Sequence, residues 1–268
     1  MKFTFTTLAY PHLRIEEVLG RARKFGLDAI ELRVADDGIH LKPHYPIDRS
    51  YIKIVEESGV RIASIAGYAR FSAILDEERR RNEDLLKVLV LMAEELGAKA
   101  VRVYAGKFPD DVDSSIRRIA ESLNRMAEHA YEHNVYIAIE THDELTRVRI
   151  LLRLLERLDP NIRIVYDVAN MIMVGEKHEE VFPLIADRIV HVHIKDFIIV
   201  EGKRVFVRPG EGIVPICRVV NDLKSRGYKG YISIEWEKMW HPDLEDPDTV
   251  IPLYIDFMKG CLNSSNLI

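Results

Sequence analysis

MKFTFTTLAYPHLR, residues 1–14, alternates threonine with apolar side chains and then leaves through LAYPHLR (8–14) without a single glycine. The alternation reads as a β-strand over roughly 2–8. Its exit separates two architectures. A doubly wound open sheet favours a glycine-rich phosphate turn after its first strand, whereas a (β/α)8 barrel has no need of one. The rest of the chain repeats the theme. Further strands are expected near 28–34, 60–66, 99–104, 135–140, 162–167, 188–195 and 230–236. Helical periodicity is expected between them, near 14–25, 48–57, 76–96, 112–132, 145–156, 177–187, 215–226 and 246–261. Gly26, Gly59, Gly97, Asn134 and Gly227 close five of the helices just before the next strand begins. Eight β-then-α units point to an α/β fold, a single-domain (β/α)8 TIM barrel over residues 1–268.

Composition bounds the function. The chain has 268 residues with 47% hydrophobic and 30% charged side chains, as in an ordinary globular domain, which excludes a disordered protein. The 43 acidic and 38 basic residues leave a formal charge of -5, so a general nucleic-acid binder is not expected. No run approaches the ~18 apolar residues of a membrane span, and the N-terminal stretch lacks a signal-peptide pattern. Cys217 and Cys261 are too few for a disulfide framework, and neither lies in a CxxC pair. These readings predict a cytoplasmic, reduced protein. Glutamine is absent while Glu, Lys and Arg are abundant, a weak pointer to a hot habitat.

In a barrel, one face of each strand fills the interior and chemistry gathers at the strand C-termini. In IAIETHDE (137–144), Ile137 and Ile139 face the helices, so Ala138, Glu140 and His142 face inward. RIVYDVAN (163–170) puts Val165 and Asp167 on one face. In VHVHIKD (190–196), Val190, Val192 and Ile194 face outward and His191, His193 and Lys195 line the interior. YISIEWE (231–237) sends Ser233, Glu235 and Glu237 inward. Four successive strands thus deliver Glu140, Asp167, His193 and Glu235 to one mouth. Three uncompensated carboxylates in a narrow cavity would repel one another and lose hydration. One divalent cation removes that cost; oxygen-rich ligation with a single imidazole suits Mn, Mg or Co, with Zn also accommodated. The competing reading pairs the acids with interior cations such as Arg33, Arg102 or Lys195.

The strand-end set ETH, YDVAN, HVHIKD and ISIEWE, with the PGEG loop, resembles the xylose isomerase-like TIM-barrel superfamily of sugar phosphate isomerases and epimerases. That resemblance implies one metal held by Glu140, Asp167, His193 and Glu235, with Glu140 and Glu235 also serving as acid and base. It implies a metal-dependent isomerase or epimerase acting on a small keto-sugar, inosose or hydroxy-keto acid through an enediolate, in a homodimer or homotetramer. An inosose-type dehydratase is the alternative on the same metal. The three-zinc apurinic-site nuclease branch is disfavoured: Tyr104 and Asn170 stand where histidines would be expected, and KRVFVR (203–208) lacks an Asp-x-His pair.

Among neighbouring residues, Lys195 and His142 are candidates to bind substrate oxygens; a salt bridge from Lys195 to Asp196 or Glu237, or a capping role for His142, would leave them structural. His191 reads as a hydrogen-bonded core residue. In RPGEG (208–212), Arg208 and the glycine amides are candidates for substrate binding. ADDGIHLKPHYP (35–46), with His40, His44 and Tyr45, reads as a lid or an oligomer contact. Trp236 and Trp240 follow the last strand and either could wall the pocket, though Trp236, on the outward face, is expected to pack on helices. DEERRRNED (76–84) is flanked by acids and reads as a surface helix start, not a nucleic-acid patch.

Overall fold

In the computed structural model, which describes residues 1–264, β1 (Lys2–Phe5) leads to α1 (Ile15–Lys24), β2 (Ala29–Arg33), α2 (Arg49–Ser58), β3 (Arg61–Arg70) and α3 (Asp76–Glu95). There follow β4 (Ala100–Tyr104), α4 (Val112–Glu132), β5 (Tyr136–Glu140), α5 (Val148–Leu155), β6 (Arg163–Asp167), α6 (Val168–Met173) and α7 (His178–Ile185). The chain ends with β7 (Ile189–Ile194), β8 (Asp196–Val200), β9 (Lys203–Val207), α8 (Ile216–Ser225), β10 (Tyr231–Ile234) and α9 (Pro247–Ser264). Eight of the strands form one parallel sheet in the order β1–β10–β7–β6–β5–β4–β3–β2. A parallel bridge from Thr6 to Glu31 brings its two edges together. The architecture is a TIM barrel.

The helix closers behave as the sequence predicts. Gly26, Gly59, Gly97, Asn134 and Gly227 all lie in the left-handed region, with φ between 56° and 70°, where a residue can turn the chain out of a helix while satisfying its last carbonyls. The outward alternation holds too: Ile137, Ile139, Ile164, Val192, Ile194, Ile232 and Ile234 are buried in the layer between strands and helices. Val190 departs from its expected outward place. A register shift between Ile164 and Val165 interrupts the β6–β7 pairing, and Val190 packs against the separate Ala100–Ala138–Val165 cluster.

Beyond the short extra helix α6, two features were not foreseen. The β8–β9 hairpin stands where a loop was expected, turned through Glu201 (φ 50°) and Gly202 (φ 75°), the paired positive φ values of a tight hairpin. Its signal is present in IIVEGKRVFV (198–207), two apolar runs around Glu-Gly. The second is a correction. Cys217 on α8 and Cys261 on α9 form a disulfide across a sequence separation of 44, so the expectation of a fully reduced protein fails. Two cysteines make no framework, yet sequence spacing says nothing about whether two helices meet. No helix among the described residues is long and apolar enough to cross a membrane.

Candidate metal centre and active site

Strand register brings the predicted groups side by side. Asp167 pairs with His193 across β6 and β7, and His193 with Ser233 across β7 and β10. Glu140 ends β5, and Glu235 is the residue after β10. One ligand atom each from Glu140, Asp167, His193 and Glu235 falls within 4.8 Å of all the others, and all four residues are buried. A hydrogen-bonded clasp sets Asp167: its N–H donates to the Thr141 hydroxyl (2.8 Å), which donates back to the Asp167 carbonyl (3.2 Å). Asp167 Oδ1 then accepts the Asn170 N–H (2.9 Å) and caps α6.

The interior cations weighed against a metal are present and engaged. Arg102 Nη1 lies 2.9 Å from Glu140 Oε2 and also donates to the Tyr104 hydroxyl. Lys195 Nζ lies 2.7 Å from Asp167 Oδ2 and 2.8 Å from Glu237 Oε1, and it also binds Glu235 Oε2. Arg33 is spent elsewhere, on Asp37 at 2.6 Å. These pairs do not neutralise the site. Five carboxylates (Glu31, Glu140, Asp167, Glu235, Glu237) face three fixed cations (Arg102, Lys195, Arg204). The balance is two positive charges short unless imidazoles protonate.

His193 shows where the deficit is felt. Its buried Nδ1 has no hydrogen-bond partner, yet it points between Glu140 Oε1 (3.5 Å) and Glu235 Oε1 (3.4 Å). An orphaned nitrogen facing two carboxylate oxygens and the Asp167 carboxylate is a donor set suited to a divalent cation. The residues present therefore fit a metal. Electrostatics repeats the point. Burial pushes the Asp167 carboxyl up to about 6; Lys195 opposes this, while Glu235 and Glu140 add to it. Burial also opposes ionisation of Glu235, but Lys195 and His193 hold it well below the usual carboxylate range. His193 is raised well above an ordinary imidazole: burial disfavours its charge, and Glu31 and Glu235 outweigh that cost.

Above the four ligands lies a cavity of about 120 Å³, lined in part by Tyr104, His142, Lys195, Arg204, Glu237 and Trp240. Lys195 is therefore both the salt-bridged residue and a cavity wall. His142 sits at the rim, 3.0 Å from Asp143 and edge-on to Tyr104. Trp240 walls the pocket beside Arg33 (5.7 Å), while Trp236 is buried against Tyr254 and Phe206 as expected. His191 is buried and bonded to Glu31 (3.2 Å).

Arg208 is not brought to the cavity. It is half-exposed and paired with Glu245 through Nε (2.9 Å) and Nη2 (2.6 Å). The amides of its loop are also taken: Gly210 and Gly212 N–H donate to Asp196 Oδ2 (2.9 and 3.0 Å), and Val214 N–H donates to Oδ1 (3.0 Å). A carboxylate of the chain itself fills the anion cradle that a phosphate would need. In place of Arg208 the hairpin supplies Arg204, whose Nη1 donates to Asn170 Oδ1 at 2.9 Å. The 35–46 loop is pinned by buried His40, 3.1 Å from the Thr7 hydroxyl and 3.0 Å from the Tyr10 carbonyl, which runs against a freely hinged lid. Residues 76–84 start the surface helix α3, with Arg80 on Asp76 (2.7 Å). Sequence reasoning missed Glu31 and Arg204; Glu31 carries a period-two signal, polar between Ile30 and Leu32, whereas Arg204, next to Lys203, carries none.

Residues 19–261 match the family model of the xylose isomerase-like TIM barrel. The chain belongs to that family. It is 26% identical over 241 residues to inosose dehydratase of Geobacillus thermodenitrificans, covering 75% of this chain and 78% of the relative. It is 24% identical over 264 residues to L-ribulose-5-phosphate 3-epimerase of Escherichia coli, covering 94% and 91%. Among solved structures, the IOLI protein with a bound zinc atom superposes with a TM-score of 0.79 at 18% identity, covering 97% of each chain.

Proposed function

We propose that this chain is a divalent-metal-dependent isomerase or epimerase that moves a proton next to the carbonyl of a small keto-sugar, inosose or hydroxy-keto acid. The observation that carries the reading is the convergence of Glu140, Asp167, His193 and Glu235 around an unpartnered His193 Nδ1. These four would hold the cation, with manganese, magnesium or cobalt favoured by the oxygen-rich set and zinc accommodated. When bound, the cation supplies Lewis acidity for the negative charge of an enediolate.

The chain's own residues do the rest. Glu140 and Glu235 come from strands separated in the sheet by β6 and β7, so they approach the cavity from different sides. One removes the carbon-bound proton and the other returns it or relays the hydroxyl proton. Each keeps a second oxygen on a fixed cation, Arg102 for Glu140 and Lys195 for Glu235, which orients the carboxylates. Lys195, His142, Arg204 and Tyr104 offer polar contacts to substrate oxygens, and Trp240 shields that mouth. Arg208, once a candidate for the same task, is held on Glu245. Dehydration of an inosose-like ring is a second reading, favoured by the 26% identity to an inosose dehydratase. The nuclease reading is weakened because Tyr104 is bonded to Arg102 and Asn170 to Arg204.

A dimer or tetramer goes with this proposal, and sedimentation tests it. A cytoplasmic setting must accommodate the Cys217–Cys261 disulfide, which reducing compartments disfavour outside hyperthermophiles. The decisive assay incubates metal-loaded protein with ketoses, inososes and hydroxypyruvate in deuterated water. Deuterium at one carbon with a new stereoisomer or aldose supports the first reading, and a product lighter by one water supports the second. Retention of full turnover in both Glu140→Gln and Glu235→Gln would refute the roles given to these residues.

A further inference from the structure

Glu31 lies on β2, fully buried between Ile30 and Leu32, and none of the proton-transfer chemistry above uses it. Its carboxylate sits across the barrel from three donors. The Ser233 hydroxyl donates to Oε2 (2.7 Å), His191 Nε2 lies 3.2 Å from Oε2, and His193 Nε2 lies 3.1 Å from both oxygens. We propose that Glu31 is a positioning residue, which fixes the proton of His193 on Nε2 and so keeps Nδ1 turned to the cation. The inference rests on the reading of a cation at Glu140, Asp167, His193 and Glu235.

The chemistry of the donors carries it. An ionised carboxylate only accepts hydrogen bonds, so each imidazole facing Glu31 must present an N–H there. If His193 carried its sole proton on Nδ1, the Nε2 lone pair would face two carboxylate oxygens at 3.1 Å, acceptor against acceptor. With the proton on Nε2, the ring is held at one edge by Glu31. Its other edge is the orphaned Nδ1 between Glu140 and Glu235. A metal-bound imidazole commonly donates its second N–H to a carboxylate, which orients the ring and strengthens it as a ligand. Glu31, His191 and His193 also lie within ligand distance of one another, and a second cation there is the competing account. It would need both Nε2 atoms stripped of their protons, and the Ser233 hydroxyl already occupies Oε2.

The test uses the full chain labelled with nitrogen-15 in histidine, with zinc ion as the probe. Long-range proton–nitrogen spectra should show His193 Nε2 protonated with and without zinc, and zinc should take the place of any proton on Nδ1. Zinc uptake should be one ion per chain. In Glu31→Gln the amide offers one acceptor and an N–H2 in place of two acceptors, so an imidazole is forced to turn or to move its proton. The zinc dissociation constant, read by competition with a chromophoric chelator, should rise about 10–100-fold. Ser233→Ala keeps both imidazole bonds and should change that constant far less than Glu31→Gln does. Zinc on Nε2, two zinc ions per chain, or Glu31→Gln binding as tightly as wild type would each overturn the inference. Should Glu31→Gln fail to fold, the wild-type spectra still decide it. Failure of the underlying metal reading has a different signature, namely no zinc uptake by the wild type.

Discussion

Replacing Arg102 by methionine tests the charge balance of the site. The guanidinium is 1% exposed and lies 2.9 Å from Glu140 Oε2; it donates to the Gly67 carbonyl (3.0 Å) and to the Tyr104 hydroxyl. It also stacks 4.3 Å from the Tyr104 ring centroid and 5.3 Å from that of Tyr68. Methionine fills part of the space but leaves Glu140 buried without a fixed cation. Removing one partner of a buried pair costs about 3–5 kcal/mol. Unfolding entropy for 268 residues is about 0.6 kcal/mol/K, so Tm should fall by about 5–9 °C. Adding Glu140→Gln to Arg102→Met removes the stranded charge and should recover about 2 kcal/mol, a coupling energy of the size seen for contacting residues. A divalent cation should stabilise Arg102→Met more than it stabilises wild type, since Glu140 then keeps only the His193 imidazole, 3.5 Å away, as a counter-charge. Urea and thermal unfolding, each with and without manganese, read all four quantities. A single-variant loss below about 1 kcal/mol, or equal gains from the cation in variant and wild type, would refute the reasoning.

Cation uptake should depend on pH. Burial pushes the Asp167 carboxyl up to about 6 and it must ionise to ligate, while His193, held protonated against the cost of burial by Glu31 and Glu235, must give up its Nδ1 proton. Affinity should therefore weaken steadily as pH falls from about 8 to 5, by about tenfold per unit for each proton released; isothermal titration over that range checks this. Asp196→Asn removes a charged acceptor from three loop amides and should cost about 2–4 kcal/mol, with faster hydrogen exchange at Gly210 and Gly212. Opening the Cys217–Cys261 bridge, which spans 44 residues, should cost up to about 4 kcal/mol; a Cys217→Ser variant as stable as wild type in urea would show that the bridge adds nothing to stability.

The barrel could be read from the linear chain because its cause is local. Burying one face of a strand forces period two, as in Ile137, Ile139 and Glu140, and leaving a helix asks for a residue that tolerates positive φ, as Gly59 and Gly97 do. The same alternation, with the rule that barrel chemistry sits at strand ends, picks out Glu140, Asp167, His193 and Glu235 from the linear chain. Contacts between distant segments had no such signature. Glu31 meets His193 at a separation of 162 residues and Ser233 at 202; Arg204, not Arg208, reaches the cavity because the hairpin folds back over it. Asp196 fills the cradle that looked ready for a substrate anion, and α9 carries Cys261 to Cys217 on α8. Periodicity reports which way a side chain points along its own element; which charge or thiol it finds there depends on how the ring of strands closes and which helices come to lie together.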